Sequence, residues 1–237
     1  MTKTLDAFVD AARAACGPDL VGIVLYGSAA GRDYHGAGSD ENVMVLVRRA
    51  DASVLGALAP AVHRWTSAGN PPPLLLSVAE WQRRSDVFAL EYADLLEQHR
   101  LVYGALPLEG VRVRRGDLRT QLESEIMGKL LRFRRGVMNA GGNPRHTRAL
   151  LDESLSALLT LLRGLLHLHG EPAPSSSEAL CDRAAELAGF SPAPFRALVA
   201  QRRGTSIHDD ALAGVVAGSL EALERALAHV DGYTVND

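Results

Sequence analysis

Cysteine is nearly absent from this 237-residue sequence: Cys16 and Cys181 stand far apart, with no Cys-x-x-Cys or Cys/His spacing around either. That excludes a thiolate metal centre and a disulfide framework, and leaves two buried or half-buried free thiols in a reducing compartment. An excess of one charge is also missing. The 25 Lys and Arg against 28 Asp and Glu give a net charge of −3 and a pI near 6.2, so there is no general pull towards nucleic acid. No run approaches the roughly eighteen consecutive apolar residues of a membrane span. The N-terminus, with Thr2, Lys3 and Thr4 ahead of an amphipathic stretch containing Asp6 and Arg13, lacks a signal-peptide core. The expectation is a cytoplasmic protein with no membrane and no general nucleic-acid partner.

What is present is ordinary globular composition, 47% hydrophobic and 22% charged, in a length that suits two modest domains. Leu5, Phe8, Val9 and Ala12 recur at helical spacing, and Gly17-Pro18 ends that helix. Leu20–Tyr26 is a short apolar run closed by Gly27-Ser28 and predicts a buried strand. A polar, glycine-rich loop from Arg32 to Ser39 leads into a second strand, Asn42 to Val47. Asp51 is placed to cap a helix to about Trp65, which Gly69-Asn70-Pro71-Pro72-Pro73 terminates; Leu74 to Val78 then predicts a third strand.

After a short segment around Trp81, Phe88 to Leu95 alternates between two faces and is expected to be a strand, although its residues also suit a helix. From Asp117 onward the pattern changes to leucine and alanine at helical spacing. Helices are expected over Asp117–Asn139, Pro144–His169, Ser177–Ala188, Pro192–Arg203 and Asp209–Val230, the second apolar on most of its circumference and central to a bundle. The expected domains are 1–115, a mixed α+β unit, and 116–237, an all-α bundle.

The chemistry concentrates in Leu25-Tyr26-Gly27-Ser28-Ala29-Ala30-Gly31-Arg32 and Ser39-Asp40-Glu41-Asn42-Val43. A strand ending in Gly-Ser can bring backbone N–H groups and a hydroxyl close to phosphate oxygens, although a purely structural turn uses the same residues. Positions i and i+2 of a strand share a face, so Asp40 and Asn42 would point together above that turn, where Mg²⁺ would sit in a phosphoryl-transfer site. Glu41, between them, would face the other side.

This segment resembles the signature of the nucleotidyltransferase superfamily, in which a hydrophobic strand, Gly-Ser, a short loop and Ser-Asp-x-Asp form an NTP and two-metal site. With a helical domain behind the αβ core, it is especially similar to the aminoglycoside adenylyltransferase-like branch. The resemblance implies a nucleotidyltransferase-like mixed sheet with flanking helices, followed by a helical bundle, with a cleft between them holding nucleotide and acceptor. By the same resemblance Gly27 and Ser28 would hold the NTP phosphates (ATP being the favoured nucleotide), and Asp40 and Asn42 would hold Mg²⁺. Asn42 stands where the family has its second aspartate, which removes one negative charge from a site built for a hard dication.

The turn reads Gly-Ser-Ala-Ala-Gly-Arg rather than Gly-Ser-x-Ala-Arg-Gly. Arg32 is either a phosphate ligand displaced by one position or a solvated loop arginine. A later-strand carboxylate in the family serves as metal ligand or base. Glu91 and Asp94 are the candidates, on opposite faces of the expected strand, with Glu91 preferred because it shares a face with Ala89 and Ala93. The implied reaction is transfer of a nucleoside monophosphate from an NTP to a hydroxyl acceptor. The alternative is a catalytically degenerate nucleotide- or partner-binding protein, of pseudoenzyme or toxin–antitoxin type. The acceptor and a homodimeric state stay open.

Three further features carry less. Arg112, Arg114, Arg115, Arg119, Lys129, Arg132, Arg134 and Arg135 form a basic stretch that is read first as a solvated helix face. Arg203 and His208 satisfy the short Arg-x4-His pattern of helical ribonuclease-like modules. His167 and His169, two apart on a helix, do not share a face and are expected at an interface rather than on a metal.

Overall fold

The computed structural model describes residues 2–30 and 41–235, with Ser28 and Ala29 described through their backbone. The chain divides into two compact units, Met1–Val113 and Arg114–Asp237.

The first unit is a four-stranded sheet in the order β3-β2-β1-β4. Its strands are β1 (Leu20–Tyr26), β2 (Asn42–Val47), β3 (Leu74–Ser77) and β4 (His99–Gly104). β1 is antiparallel to β2 and to β4, while β2 and β3 are parallel and joined through a helix, the connection that parallel neighbours require. β2 is buried along almost its whole length, which fits a continuous apolar run covered on both faces.

One face is covered by α1 (Lys3–Cys16) and α2 (Ala52–Ser67). Their contact includes Phe8 and Trp65, with ring centroids 5.0 Å apart. Asp51 caps α2 by accepting from the Ser53 and Val54 N–H groups. The Trp65 indole donates to the Pro71 carbonyl at 2.8 Å, fastening the triproline segment that precedes the edge strand β3.

The opposite face carries α3 (Val78–Arg83) and α4 (Ala89–Glu97). Here the structure overturns the strand expected over Phe88 to Leu95. Ala, Leu and Glu favour helix, and burial of Ala89, Leu90, Tyr92, Asp94 and Leu95 follows i, i+3 and i+4 spacings rather than alternation. The strand lies just beyond, at β4, where Leu101-Val102-Tyr103 supplies the β-forming residues. α4 is held against α3 by Tyr92, which stacks on Trp81 at 4.5 Å and donates its hydroxyl to the Trp81 carbonyl at 2.9 Å.

The second unit consists, among the described residues, of α5 (Arg115–Ala140), α6 (Pro144–Leu168), α7 (Ser177–Ala188), α8 (Ala193–Arg202) and α9 (Asp209–Asp231). α6 packs against each of the other four, as its nearly continuous leucine surface requires. Gly136 lets α5 and α6 approach closely: a Cβ there would lie 2.4 Å from the Leu150 side chain. Among the described residues no helix is long and apolar enough to cross a membrane. Cys16 and Cys181 are both free and buried, and burial pushes the Cys181 thiol up to about 12, the state of an inert packing residue.

Candidate functional site

β1 ends at Tyr26, and the chain turns at once through Gly27–Ala30, a single 3₁₀ turn that contains Ser28. Gly27 takes φ +70°, a conformation glycine adopts without a side-chain penalty. Its N–H donates to the Gln98 carbonyl at 3.3 Å, so the start of β4 braces the turn. A Cβ on Gly27 would lie 3.5 Å from the Asn42 side-chain amide nitrogen. The amide of Asn42 therefore sits directly beside the Gly-Ser turn. Asp40 and Arg32 lie outside the described residues.

In register, Asn42 of β2 stands opposite Tyr26 of β1, and Tyr26 stands opposite His99 of β4. Directly opposed residues share a face, so the three form one row across the end of the sheet. Alternation from Met44 and Val24, which belong to the core beneath α3 and α4, puts this row on the α4 side. Glu41 goes the other way. It is 5% exposed, and its carboxylate accepts the Thr2 hydroxyl at 3.0 and 3.1 Å, beside the start of α1.

Glu91 and Asp94 reach the row from α4. Because this segment is a helix, positions i and i+3 lie on one side of it, and the opposite-face placement expected of a strand is corrected. Burial first, then the negative charges of Glu91 and of Asp94, push the Tyr26 phenol up to about 12. Both carboxylates thus act on a single side chain next to the Gly-Ser turn. Asp94 is the more buried, at 8% exposure, while Glu91 is half-buried. Neither β3 nor β4 contains an Asp or Glu, so among the described residues no strand after β2 supplies a carboxylate.

The last turn of α4 is closed by His99, whose Nδ1 lies 2.7 Å from the Leu95 carbonyl oxygen. A carbonyl can only accept, so Nδ1 carries the proton in this bond. Sequence reasoning did not single out His99; strand pairing sets it opposite Tyr26.

The donors on this side of the sheet are hard oxygens, the Asn42 amide and the Glu91 and Asp94 carboxylates, the type Mg²⁺ prefers. Among the described residues, no group of three or more His, Cys, Asp or Glu is gathered so as to hold a metal ion.

The other sequence features, Arg112 apart, fall in the second unit. Arg119 pairs with Glu123 at 3.3 Å and with Asp231 at 3.5 Å, and Arg134 with Glu224 at 2.6 Å, which neutralises part of the basic stretch. Arg203 pairs with Glu178, and His208 stands immediately before α9. His169 meets His229 of α9, with Nε2 atoms 2.8 Å apart.

The architecture, a mixed four-stranded sheet with helices on both faces followed by a helical unit, is that of the nucleotidyltransferase fold with an appended helical domain. The particular likeness is to a solved structure, "Crystal structure of spectinomycin adenyltransferase AAD(9) from Enterococcus faecialis with ATP and spectinomycin". It covers 94% of this chain and 98% of that one, with a TM-score of 0.64 and 12% sequence identity. At that identity the similarity is one of fold. No protein-family description matches the chain, and no curated protein matches its sequence.

Proposed function

We propose that this chain is a nucleotidyltransferase-like protein that moves a nucleoside monophosphate from an NTP, ATP being favoured, to a hydroxyl acceptor in the cytoplasm. The observation that carries the reading is the Asn42 side chain set beside the Gly27 turn at the end of paired strands. It occurs in a fold shared with a spectinomycin adenyltransferase whose crystal structure contains ATP.

Gly27 and Ser28 would hold the nucleotide phosphates through backbone N–H groups, with Arg32 contributing its guanidinium. Asp40 and Asn42 would hold Mg²⁺, which supplies charge neutralisation at the phosphates. Glu91 is the proposed further carboxylate of the site, with Asp94 beside it on α4. Such transfer runs on positioning and electrostatics, so each missing charge costs rate.

A second reading is favoured by Asn42 and by the lack of a carboxylate on β3 and β4: a degenerate relative that binds nucleotide or a partner without turnover. Calorimetric titration with ATP and GTP, with and without Mg²⁺, tests both. Metal-dependent binding abolished in Asp40→Ala supports the nucleotide site, and turnover against a hydroxyl acceptor separates the enzyme from its degenerate form. No binding under any condition removes both nucleotide readings and leaves partner binding.

A further inference from the structure

We propose that His99 is the proton acceptor of this site, taking the proton of the acceptor hydroxyl on Nε2; the inference rests on the nucleotidyltransferase reading above.

Position comes first. His99 lies directly across from Tyr26, in the row that ends with Asn42. It also follows Gln98, whose carbonyl binds the Gly27 N–H at 3.3 Å. The residue is therefore built into the strand that braces the Gly-Ser turn, on the face where Asn42 stands. It is half-buried, and its ring is held through Nδ1 at the Leu95 carbonyl.

The second element is the tautomer. Nδ1 donates to the Leu95 carbonyl at 2.7 Å, so in the neutral ring Nε2 bears the lone pair and can only accept. A backbone carbonyl of α4 thereby fixes both the ring plane and the identity of the basic nitrogen, the arrangement needed for a general base.

The third element is what the strands lack. β3 and β4 carry no carboxylate, and His99 is the one side chain on them with a nitrogen lone pair that can take a proton. Among the described residues, the elements on its side of the sheet carry the titratable or charged groups Tyr26 on β1, Glu91, Tyr92, Asp94 and Glu97 on α4, and Glu80 and Arg83 on α3, of which Glu91 and Asp94 act on Tyr26. β2 contributes the neutral Asn42.

In the transfer, the acceptor O–H bond breaks and its proton passes to Nε2. The oxygen forms a new bond to the α-phosphorus of the NTP, and the bond from that phosphorus to the β-phosphate bridging oxygen breaks. Pyrophosphate leaves with the electron pair, and His99 returns the proton to solvent.

His99→Asn is the informative variant, because the Asn amide can still donate to the Leu95 carbonyl while offering no base. The full chain is titrated with MgATP by calorimetry, and the His99 ring is followed by ¹⁵N NMR. Pyrophosphate release with water as hydroxyl donor is then measured from pH 5.5 to 8.5. The expected result is an Nε2 resonance that shifts on MgATP binding, and a rate that falls on the acid side in the wild type. His99→Asn is expected to bind MgATP like the wild type, to lose about 10²-fold in kcat and to lose that acid limb.

Several results would overturn the proposal. They are an Nε2 resonance indifferent to bound MgATP, a bound MgATP that yields no pyrophosphate in the wild type, and a His99→Asn rate and pH profile within threefold of wild type. Disappearance of the acid limb in Glu91→Gln with its retention in His99→Asn would instead assign the proton to Glu91. No MgATP binding by the wild type would defeat the nucleotide reading itself, and this inference with it.

Discussion

A methyl group placed on Gly27 would meet the Asn42 amide at an ordinary 3.5 Å, so the cost of Gly27→Ala comes from φ +70° rather than from a clash. That is worth about 1–2 kcal/mol. The expected outcome is a folded protein with a lower thermal midpoint and weaker ATP binding, checked by melting and calorimetry. Gly104 differs sharply: a Cβ there would lie 2.0 Å from the Val21 carbonyl oxygen, at φ +69°. Gly104→Ala is expected to cost about 3 kcal/mol or more, because backbone rather than a flexible side chain must move; urea unfolding measures it. Asn42→Asp adds a negative charge on the side of the sheet where Glu91 and Asp94 already act on Tyr26. Without metal the variant should melt below wild type, and Mg²⁺ should raise its midpoint more than that of wild type. Equal Mg²⁺ responses would detach position 42 from any metal.

At the scale of elements, α3 offers a clean test of local stabilisation. Ser77 Oγ accepts the Glu80 N–H at 3.2 Å, while the Glu80 carboxylate accepts the Ser77 N–H at 2.8 Å. Ser77→Ala removes half of this capping box, and unfolding should show a loss of about 1 kcal/mol.

The contact between α6 and α9 has a predictable pH response. Burial, then His229, depresses the pKa of His169 below its ordinary 6.5, with Arg183 and Arg115 adding to the effect and Glu171 opposing it; burial depresses His229 likewise. Both bases are thus harder to protonate folded than unfolded. Their contribution is complete above about pH 6.5 and is lost as pH falls towards the folded values. His229→Gln, which can keep a hydrogen bond without titrating, should narrow the difference in midpoint between pH 7.5 and 5.0.

Element identity also shows how much the sequence disclosed. β1, β2 and the five bundle helices were legible because long periodic or β-branched runs end at Gly, Pro or capping residues. α4 was not, because Phe88, Leu90, Tyr92 and Asp94 satisfy a two-residue period by coincidence, whereas Phe88 is exposed and Tyr92 is buried against Trp81 and the sheet beneath. The error reached the candidate site, since only a helix puts Glu91 and Asp94 on one side. Gly27 and Asn42 could be placed from their motif, whereas His99 became visible only when strand pairing set it opposite Tyr26.

For the whole molecule, the division at Val113 and Arg114 gives each unit its own core. The fragment 114–237 expressed alone is expected to be helical by circular dichroism and to melt cooperatively; a non-cooperative melt would show that its stability is borrowed from the first unit.

The sheet order β3-β2-β1-β4 leaves two strands at the edges. β3 is four residues long and directly follows three prolines, which deny an incoming chain the backbone donors it needs to extend the pairing there. β4 is six residues long and presents an exposed Leu101. Strand-by-strand self-association of misfolded or crowded copies would therefore be one-sided, templated at β4, and a Leu101→Lys substitution would be the economical way to keep the protein dispersed at high concentration.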